Sequence, residues 1–305
     1  MRGNRIARGT FAGVLRAYLS SPEFQALAPA TKESYSRALY RAESPEMLGA
    51  IGVGMLRPSI VQAYLDGMAS RPGNAQVART ALKRVESWAI LRDLLPHPIM
   101  TGTYTARSKG GRKPWTDDQV TLAERHARAD LARVVTLMAN TGQRGSDIVK
   151  MSRSDFRTHE GYPGIDVEQK KTGLEIWIPF TRELIAAVET WEVRPGYLVL
   201  QRNGKPFSRP RLSVYWDDER ATNPALAPLL KAGCTLHGLR ATAVVRLRRA
   251  GANAQQIADM VGMSVPMVER YCRFASQKDN ALAAVHLLDG TRTERTRLKF
   301  DSGTP

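Results

Sequence analysis

The chain has 305 residues, 43% apolar and 24% charged, which excludes a collagen-like or largely disordered polypeptide and suits two globular domains better than one. Lys and Arg number 45 against 29 Asp and Glu, a formal net charge of +16. An excess of that size points to a polyanionic partner, nucleic acid first, ahead of a basic surface that only aids solubility.

From the N-terminus, Phe11–Leu19 is broken by Arg16 and lacks an A-x-A-like end, so it reads as an amphipathic helix and not as a signal peptide. Thr31 caps a second predicted helix running to about Ala42. Pro58 opens a third, to Met68, in the manner of a helix-initiating proline. Asn74 caps the fourth, in which Val77, Ala81, Val85 and Trp88 recur at helical spacing while Arg79, Lys83, Arg84 and Glu86 take other faces. With no strand pattern, residues 1–106 predict a small all-helical domain. Its end overlaps a basic segment, Thr101–Pro114, that has no apolar periodicity and carries Arg107, Lys109, Arg112 and Lys113 around Gly110–Gly111. That composition predicts an exposed linker suited to crossing a DNA backbone between two domains.

The second domain is expected over 115–305, opening at Trp115. Thr116-Asp117-Asp118-Gln119 is a capping box that starts a helix to about Ala127. Another helix runs from Asp130 to Asn140, with Leu131, Val134, Val135 and Met138 on its apolar side, and a short one from Ser146 to Met151. Ile165–Glu168 and Leu174–Ile178 alternate around the turn Lys170–Gly173, which predicts a β-hairpin. Helical pattern returns from Thr181, with a short strand over Tyr197–Gln201. From Gly238 to about Leu288 the chain is helical, broken at Gly251 and Gly262–Ser264. The fold expected is mainly α with a small β-hairpin or sheet. Cys234 and Cys272 make no C-x-x-C spacing, which fits a reducing, cytoplasmic compartment. The five scattered histidines form no zinc-site spacing, so no metal is expected. No run of 18 apolar residues is present, so no membrane span is expected.

Four segments carry chemistry: Thr141–Asp147 (TGQRGSD), Gln169–Gly173 (QKKTG), His237–Arg240 (HGLR) and Glu269–Tyr271 (ERY). Taken singly, each has an ordinary reading: Arg144 as a surface arginine at a bend, Lys171 as a solvated lysine at a hairpin tip, His237 as a capping histidine, Tyr271 as a half-buried core tyrosine. His237 and Arg240 do share a face at a helix start, where the dipole favours anions. Taken together they form a kit for opening a phosphodiester. Two guanidinium groups can clamp a phosphate. A lysine and a histidine can transfer protons, and a tyrosine hydroxyl can act as a covalent nucleophile. Fixed guanidinium groups can stabilise a pentacovalent phosphate without a metal.

These four segments resemble the tyrosine recombinase (phage integrase) family. The family pattern is an Arg within T-G-x-R-x-S-E/D, a Lys on a β-hairpin, an H-x-x-R and a G-H/W stretch that leads to the nucleophilic Tyr. The matching positions are Arg144 with Asp147, Lys171, His237 with Arg240, and Tyr271. The resemblance is specific from Trp115 to about Phe274. It implies a helical core-binding domain followed by a catalytic domain, no cofactor, double-stranded DNA as substrate and a homotetramer on that DNA; accessory DNA-bending proteins are compatible with it. In this reading Tyr271 attacks the scissile phosphate to give a 3′-phosphotyrosyl link. Arg144 and Arg240 hold the non-bridging oxygens, Lys171 protonates the departing 5′ oxygen, His237 assists and Asp147 orients the Arg144 region. About ten residues precede the first helix, too few for the arm-binding domain of some integrases. An apolar stripe of Leu282, Val285 and Leu288 follows the tyrosine, and family members pass such a helix to a neighbour. One position departs: Met263 stands where the family supplies His or Trp, and the stretch to Tyr271 is one residue shorter than usual. A thioether cannot donate a hydrogen bond to phosphate.

A different class competes. Gln256–Val268 looks like a helix-turn-helix with Gly262 in the turn, which with the basic charge would suit a DNA-binding regulator without cleavage activity. Against it, Pro266 falls in the first turn of the recognition helix, and Arg144, Lys171, His237 and Arg240 are left unexplained. A carboxylate–metal nuclease finds no motif that selects a cluster. A type IB topoisomerase shares much of the chemistry, but the small size and integrase-like segments favour the recombinase.

Overall fold

A computed structural model describes residues 9–106, 113–192 and 196–274, together with 281, 284 and 285. The chain divides into two compact units, Met1–Gly110 and Gly111–Pro305. Arg107, Lys109 and Arg112 lie outside the described residues, as do Leu282 and Leu288 of the tail stripe; Val285 is exposed.

The first unit holds five helices among its described residues: α1 (Phe11–Leu19), α2 (Pro22–Gln25), α3 (Pro29–Glu43), α4 (Pro58–Asp66) and α5 (Pro72–Ile90). Proline sets four of the five starts. Its fixed φ is preorganised for the first helical turn, where its missing N–H is no loss. Pro29 therefore begins α3 with Ala28 as N-cap, and Pro72 begins α5 with Arg71 as N-cap. Thr31 and Asn74, expected as caps, lie inside these helices, and α4 stops at Asp66, before Met68. The buried stripe of α5 is Ala75, Ala78, Ala81, Leu82, Val85, Glu86 and Ala89, offset from the predicted one, with Val77 and Trp88 half-buried. The periodicity places Glu86 on a face other than that of the apolar stripe. It is instead buried, because its carboxylate accepts the backbone N–H groups of Ile99 and Met100. Phe11, Leu15, Leu39, Leu56, Val61, Leu82 and Ile99 are fully buried around these helices.

The second unit begins with α6 (Asp117–His126), whose capping box Thr116–Gln119 is formed in both directions. Then come α7 (Ala129–Thr141), α8 (Gly145–Ile148), a 3₁₀ turn at Arg153–Asp155, and an antiparallel sheet of β1 (Phe156–His159), β2 (Tyr162–Glu168) and β3 (Glu175–Pro179) in that order. Ile165 pairs with Ile178, and both are fully buried; Val167 pairs with Ile176. β1 was not foreseen. It has one apolar residue in four, three of its positions are exposed, and only its pairing with β2 makes it a strand. The helix expected over Ser146–Met151 ends at Ile148; beyond it the N–H groups of Lys150 and Met151 turn to i−3 carbonyls, those of Asp147 and Ile148. Tyr197–Gln201 is not a strand but two isolated bridges, Ser152 to Tyr197 and Leu200 to Pro206, because its N–H groups turn to different partners.

The chain continues through α9 (Arg182–Thr190), α10 (Arg209–Thr222), α11 (Ala227–Lys231), α12 (Gly238–Arg249), α13 (Ala254–Val261) and α14 (Val265–Cys272). Trp115 closes the start of this unit over α12. Its ring stacks on Trp216 at 5.4 Å, its N–H donates to Thr242 Oγ1 at 2.7 Å and its indole N–H to the Thr235 carbonyl at 3.0 Å. Among the described residues, no helix is long and apolar enough to cross a membrane.

Candidate active site

The bend after α7 is built residue by residue. Thr141 returns its hydroxyl to the Leu137 carbonyl at 2.6 Å. Gly142 ends the helix in the left-handed region, φ +64°, with its N–H on the Met138 carbonyl, the usual glycine termination. A Cβ there would stand 2.7 Å from Val261 Cγ1, so the same glycine lets α13 approach. Gln143 is fully buried. Arg144 is then the N-cap of α8 in extended conformation, which turns its side chain out of the bend, and it is partly exposed. Asp147, three residues on, is buried; its Oδ1 accepts the N–H of Lys170 at 3.1 Å, and its Oδ2 lies 3.8 Å from Arg144 Nη1.

The hairpin tip closes on Gln169. Its carbonyl accepts the N–H groups of Thr172 and Gly173, and its N–H donates to Leu174. Gly173 takes φ +66°. Lys171 stands exposed at this tip, and the base of the tip is tied to the Arg144 bend through Asp147 and through a 2.8 Å bond from Arg144 Nη1 to Gln169 Oε1.

His237 is the N-cap of α12 and half-exposed. Gly238 follows because a Cβ would meet the Lys113 carbonyl at 2.7 Å and the Trp115 indole nitrogen at 2.9 Å. Lys113, expected on the linker, thus runs its backbone across the start of α12, with its side chain exposed. One turn later Arg240 is almost wholly buried. It donates to the Gly142 carbonyl at 2.5 Å and to the Gly262 carbonyl at 3.2 Å. Burial pushes its guanidinium down to about 10; the charge of Arg144 pushes the same way, and Asp147 and Tyr271 oppose it. At neutral pH the group is still a cation.

α13 and α14 are joined at Gly262, φ +59°. Tyr271, on α14, is buried among Ala241, Val244, Ile257, Val261 and Val268, and α14 packs against α12, which carries Arg240. The helix pair that suggested a helix-turn-helix is therefore real, but its second helix carries Tyr271 toward the arginines. Met263 is half-buried, packs against this cluster and lines a depression with Thr172, Leu174, Ile176 and Trp177.

The structure thus brings Arg144, Asp147, Arg240 and Tyr271 into one electrostatic neighbourhood. Lys171 and His237 each adjoin a segment anchored there. Both guanidinium groups are hydrogen-bonded to uncharged acceptors: a side-chain amide for Arg144, two backbone carbonyls for Arg240. Asp147, at ion-pair distance from Arg144, offsets one of the two charges, and the other is left for an anionic ligand. Such an arrangement can hold a phosphate and stabilise charge that develops on it. Gln143 and Gln169, both fully buried, are the site residues that sequence reasoning missed. Their only sequence signal is that each immediately precedes a basic residue in a motif. Among the described residues, no three of His, Cys, Asp and Glu come together as metal ligands.

The model of the phage integrase family matches residues 119–278. Among curated proteins none matches the chain significantly. A lambda integrase dimer bound to a COC′ core site superposes with a TM-score of 0.68 at 21% identity, covering 95% of this chain and 81% of that one. The lambda integrase tetramer bound to a Holliday junction gives 0.68 and 21%, with coverage of 88% and 78%. The Tn1549 transposon integrase in complex with circular intermediate DNA gives 0.68 at 15% identity, covering 90% and 99%.

Proposed function

Since this chain belongs to the phage integrase family and is thereby a site-specific DNA recombinase, we propose that Tyr271 is the nucleophile of its strand cutting and that Arg144 and Arg240 hold the scissile phosphate. The observation that carries this reading is the pair of guanidinium groups held by uncharged acceptors beside a buried tyrosine.

The phenolic oxygen of Tyr271 attacks phosphorus and the P–O5′ bond breaks, leaving a 3′-phosphotyrosyl link and a 5′ hydroxyl. The tyrosine proton passes to His237 and the departing oxygen takes a proton from Lys171, so charge and protons balance. Acid–base help of this kind is worth ~10²–10⁴-fold. Arg144 and Arg240 offset the charge gathering on the non-bridging oxygens. Asp147 seats the hairpin through the Lys170 N–H and flanks Arg144. A 5′ hydroxyl of another strand reverses the attack, and the phosphotyrosyl bond conserves the energy of the phosphodiester.

The partner in this proposal is double-stranded DNA. The unit over residues 1–110 serves as the core-binding domain and the unit over 111–305 as the catalytic one, with Arg107, Lys109, Arg112 and Lys113 tracking the backbone. A homotetramer is the working assembly, a reading supported by the related fold that forms a tetramer on a Holliday junction. Incubation of the full chain with DNA flanking its own gene, in the presence of EDTA, tests the proposal. A protease-sensitive, protein-linked 3′ end is expected; cleavage that needs Mg²⁺ and leaves no adduct would assign the chemistry to carboxylates and metal.

A further inference from the structure

We infer that Gln143 and Gln169 form a buried amide pair that positions Arg144 on the scissile phosphate without adding a countercharge to it; this rests on the reading of Arg144 as a phosphate-holding group. Gln169 Oε1 accepts from Arg144 Nη1 at 2.8 Å and from the Thr172 hydroxyl at 3.1 Å. Its Nε2 donates to Gln143 Oε1 at 2.7 Å and to the Val261 carbonyl at 3.1 Å. Gln143 Nε2 donates in turn to the carbonyls of Thr141 and Val261, at 3.2 and 3.1 Å. These bonds fix both amides in one sense. Rotating Gln169 by half a turn would set its oxygen against the Val261 carbonyl and its NH₂ against the guanidinium.

Three segments converge on the pair: the Arg144 bend, the Lys171 hairpin and the end of α13 that leads into the Tyr271 helix. The fit is close, since a Cβ on Gly262 would lie 2.2 Å from Gln169 Nε2. An amide holds Arg144 differently from a carboxylate. A carboxylate at the same place would make a charge-assisted pair and take up the positive charge that the phosphate needs. One carboxylate oxygen, Asp147 Oδ2, already lies within ion-pair reach of Arg144 at 3.8 Å, and a second would neutralise the site further. Gln143 and Gln169 touch no reacting atom in this scheme; they are positioning residues that act through Arg144.

The test compares rates of covalent adduct formation on three DNA duplexes. One carries an ordinary scissile phosphate. The second carries a methylphosphonate, where a methyl replaces one non-bridging oxygen and removes the charge. The third carries a 5′-bridging phosphorothiolate, whose thiolate leaves without a proton. Gln169→Met, which keeps the side-chain volume, is expected to slow adduct formation about 10–100-fold on the ordinary phosphate, the scale of a lost hydrogen bond to a charged group. The loss is expected to persist on the phosphorothiolate and to shrink to a few-fold on the methylphosphonate, with DNA affinity unchanged. Gln143→Leu, which leaves Gln169 its Val261 acceptor, should show the same pattern with a smaller loss, and carries the test if Gln169→Met does not fold. An equal loss on all three duplexes, or no loss, overturns the inference. Absence of any adduct from the unaltered chain is a separate outcome: it overturns the proposed function, and the inference with it.

Discussion

Arg240 is buried at a cost in stability. Its folded value of about 10 lies well below the ordinary guanidinium range, so the fold disfavours the charged form. That cost is present at every pH below about 10 and is relieved only as pH rises from there through the unfolded value. Part of it comes from Arg144. Arg144→Met removes the neighbouring cation and leaves Gln169 Oε1 the Thr172 hydroxyl as donor. The same substitution deprives the buried Asp147 carboxylate of its ion-pair partner, and leaving a buried charge unpaired is the larger effect. The variant should therefore melt below the unaltered protein, while cleavage falls ~10²–10³-fold, as for loss of one transition-state donor; an unchanged or raised melting temperature would show that repulsion of Arg240 outweighs the Asp147 pair. Met263 makes the opposite case. It is packed on the Tyr271 cluster, so Met263→His should lower both the melting temperature and the single-turnover cleavage rate. A variant of equal stability that cleaves faster would show that a donor was missing there. The four motif segments were legible in the sequence because they are short and chemically specific, and the structure brings Arg144, Asp147 and Arg240 close together. Gln143 and Gln169 were not, since full burial of an amide is a tertiary property and their neighbours lie up to 118 residues away.

Among the elements, the glycines that end helices set the site. Gly262 combines φ +59° with a contact that leaves no room for a Cβ, whereas Gly173 has φ +66° in open space. Gly173→Ala should therefore cost only left-handed strain, ~1 kcal/mol. Gly262→Ala adds displacement of Gln169 and should cost ~1–3 kcal/mol more, with loss of cleavage. Equal destabilisation of the two variants by chemical denaturation would contradict the close approach of Gln169. Where sequence reasoning misplaced element ends, backbone restriction decided the outcome. Pro29 and Pro72 fix the helix starts that Thr31 and Asn74 would otherwise have capped. The β2–β3 hairpin was readable from its alternation, with Ile165 and Ile178 on the buried face. β1 was not, since its exposed residues owe their strand conformation to a neighbour.

Across the whole molecule, the charge of +16 sets the dependence on salt. Each neutralised phosphate contributes roughly −0.9 to the slope of log affinity against log salt on duplex DNA. Replacing Arg107, Lys109, Arg112 and Lys113 together with Ala should flatten that slope; an unchanged slope would remove the linker from the DNA backbone. The division into two units was legible because apolar periodicity stops between Thr101 and Pro114 and a capping box restarts the chain at Thr116. The close packing behind the motif segments was not, because it depends on Gly142, Gly238 and Gly262 admitting close neighbours. The central claim is that Tyr271 becomes covalently joined to DNA. Mass spectrometry of the peptide left on DNA after protease digestion tests it most directly. A 3′-phosphodeoxynucleotide on Tyr271 is expected, with no adduct from Tyr271→Phe and DNA affinity retained; an adduct on another residue, or one that persists in the Phe variant, would overturn the assignment.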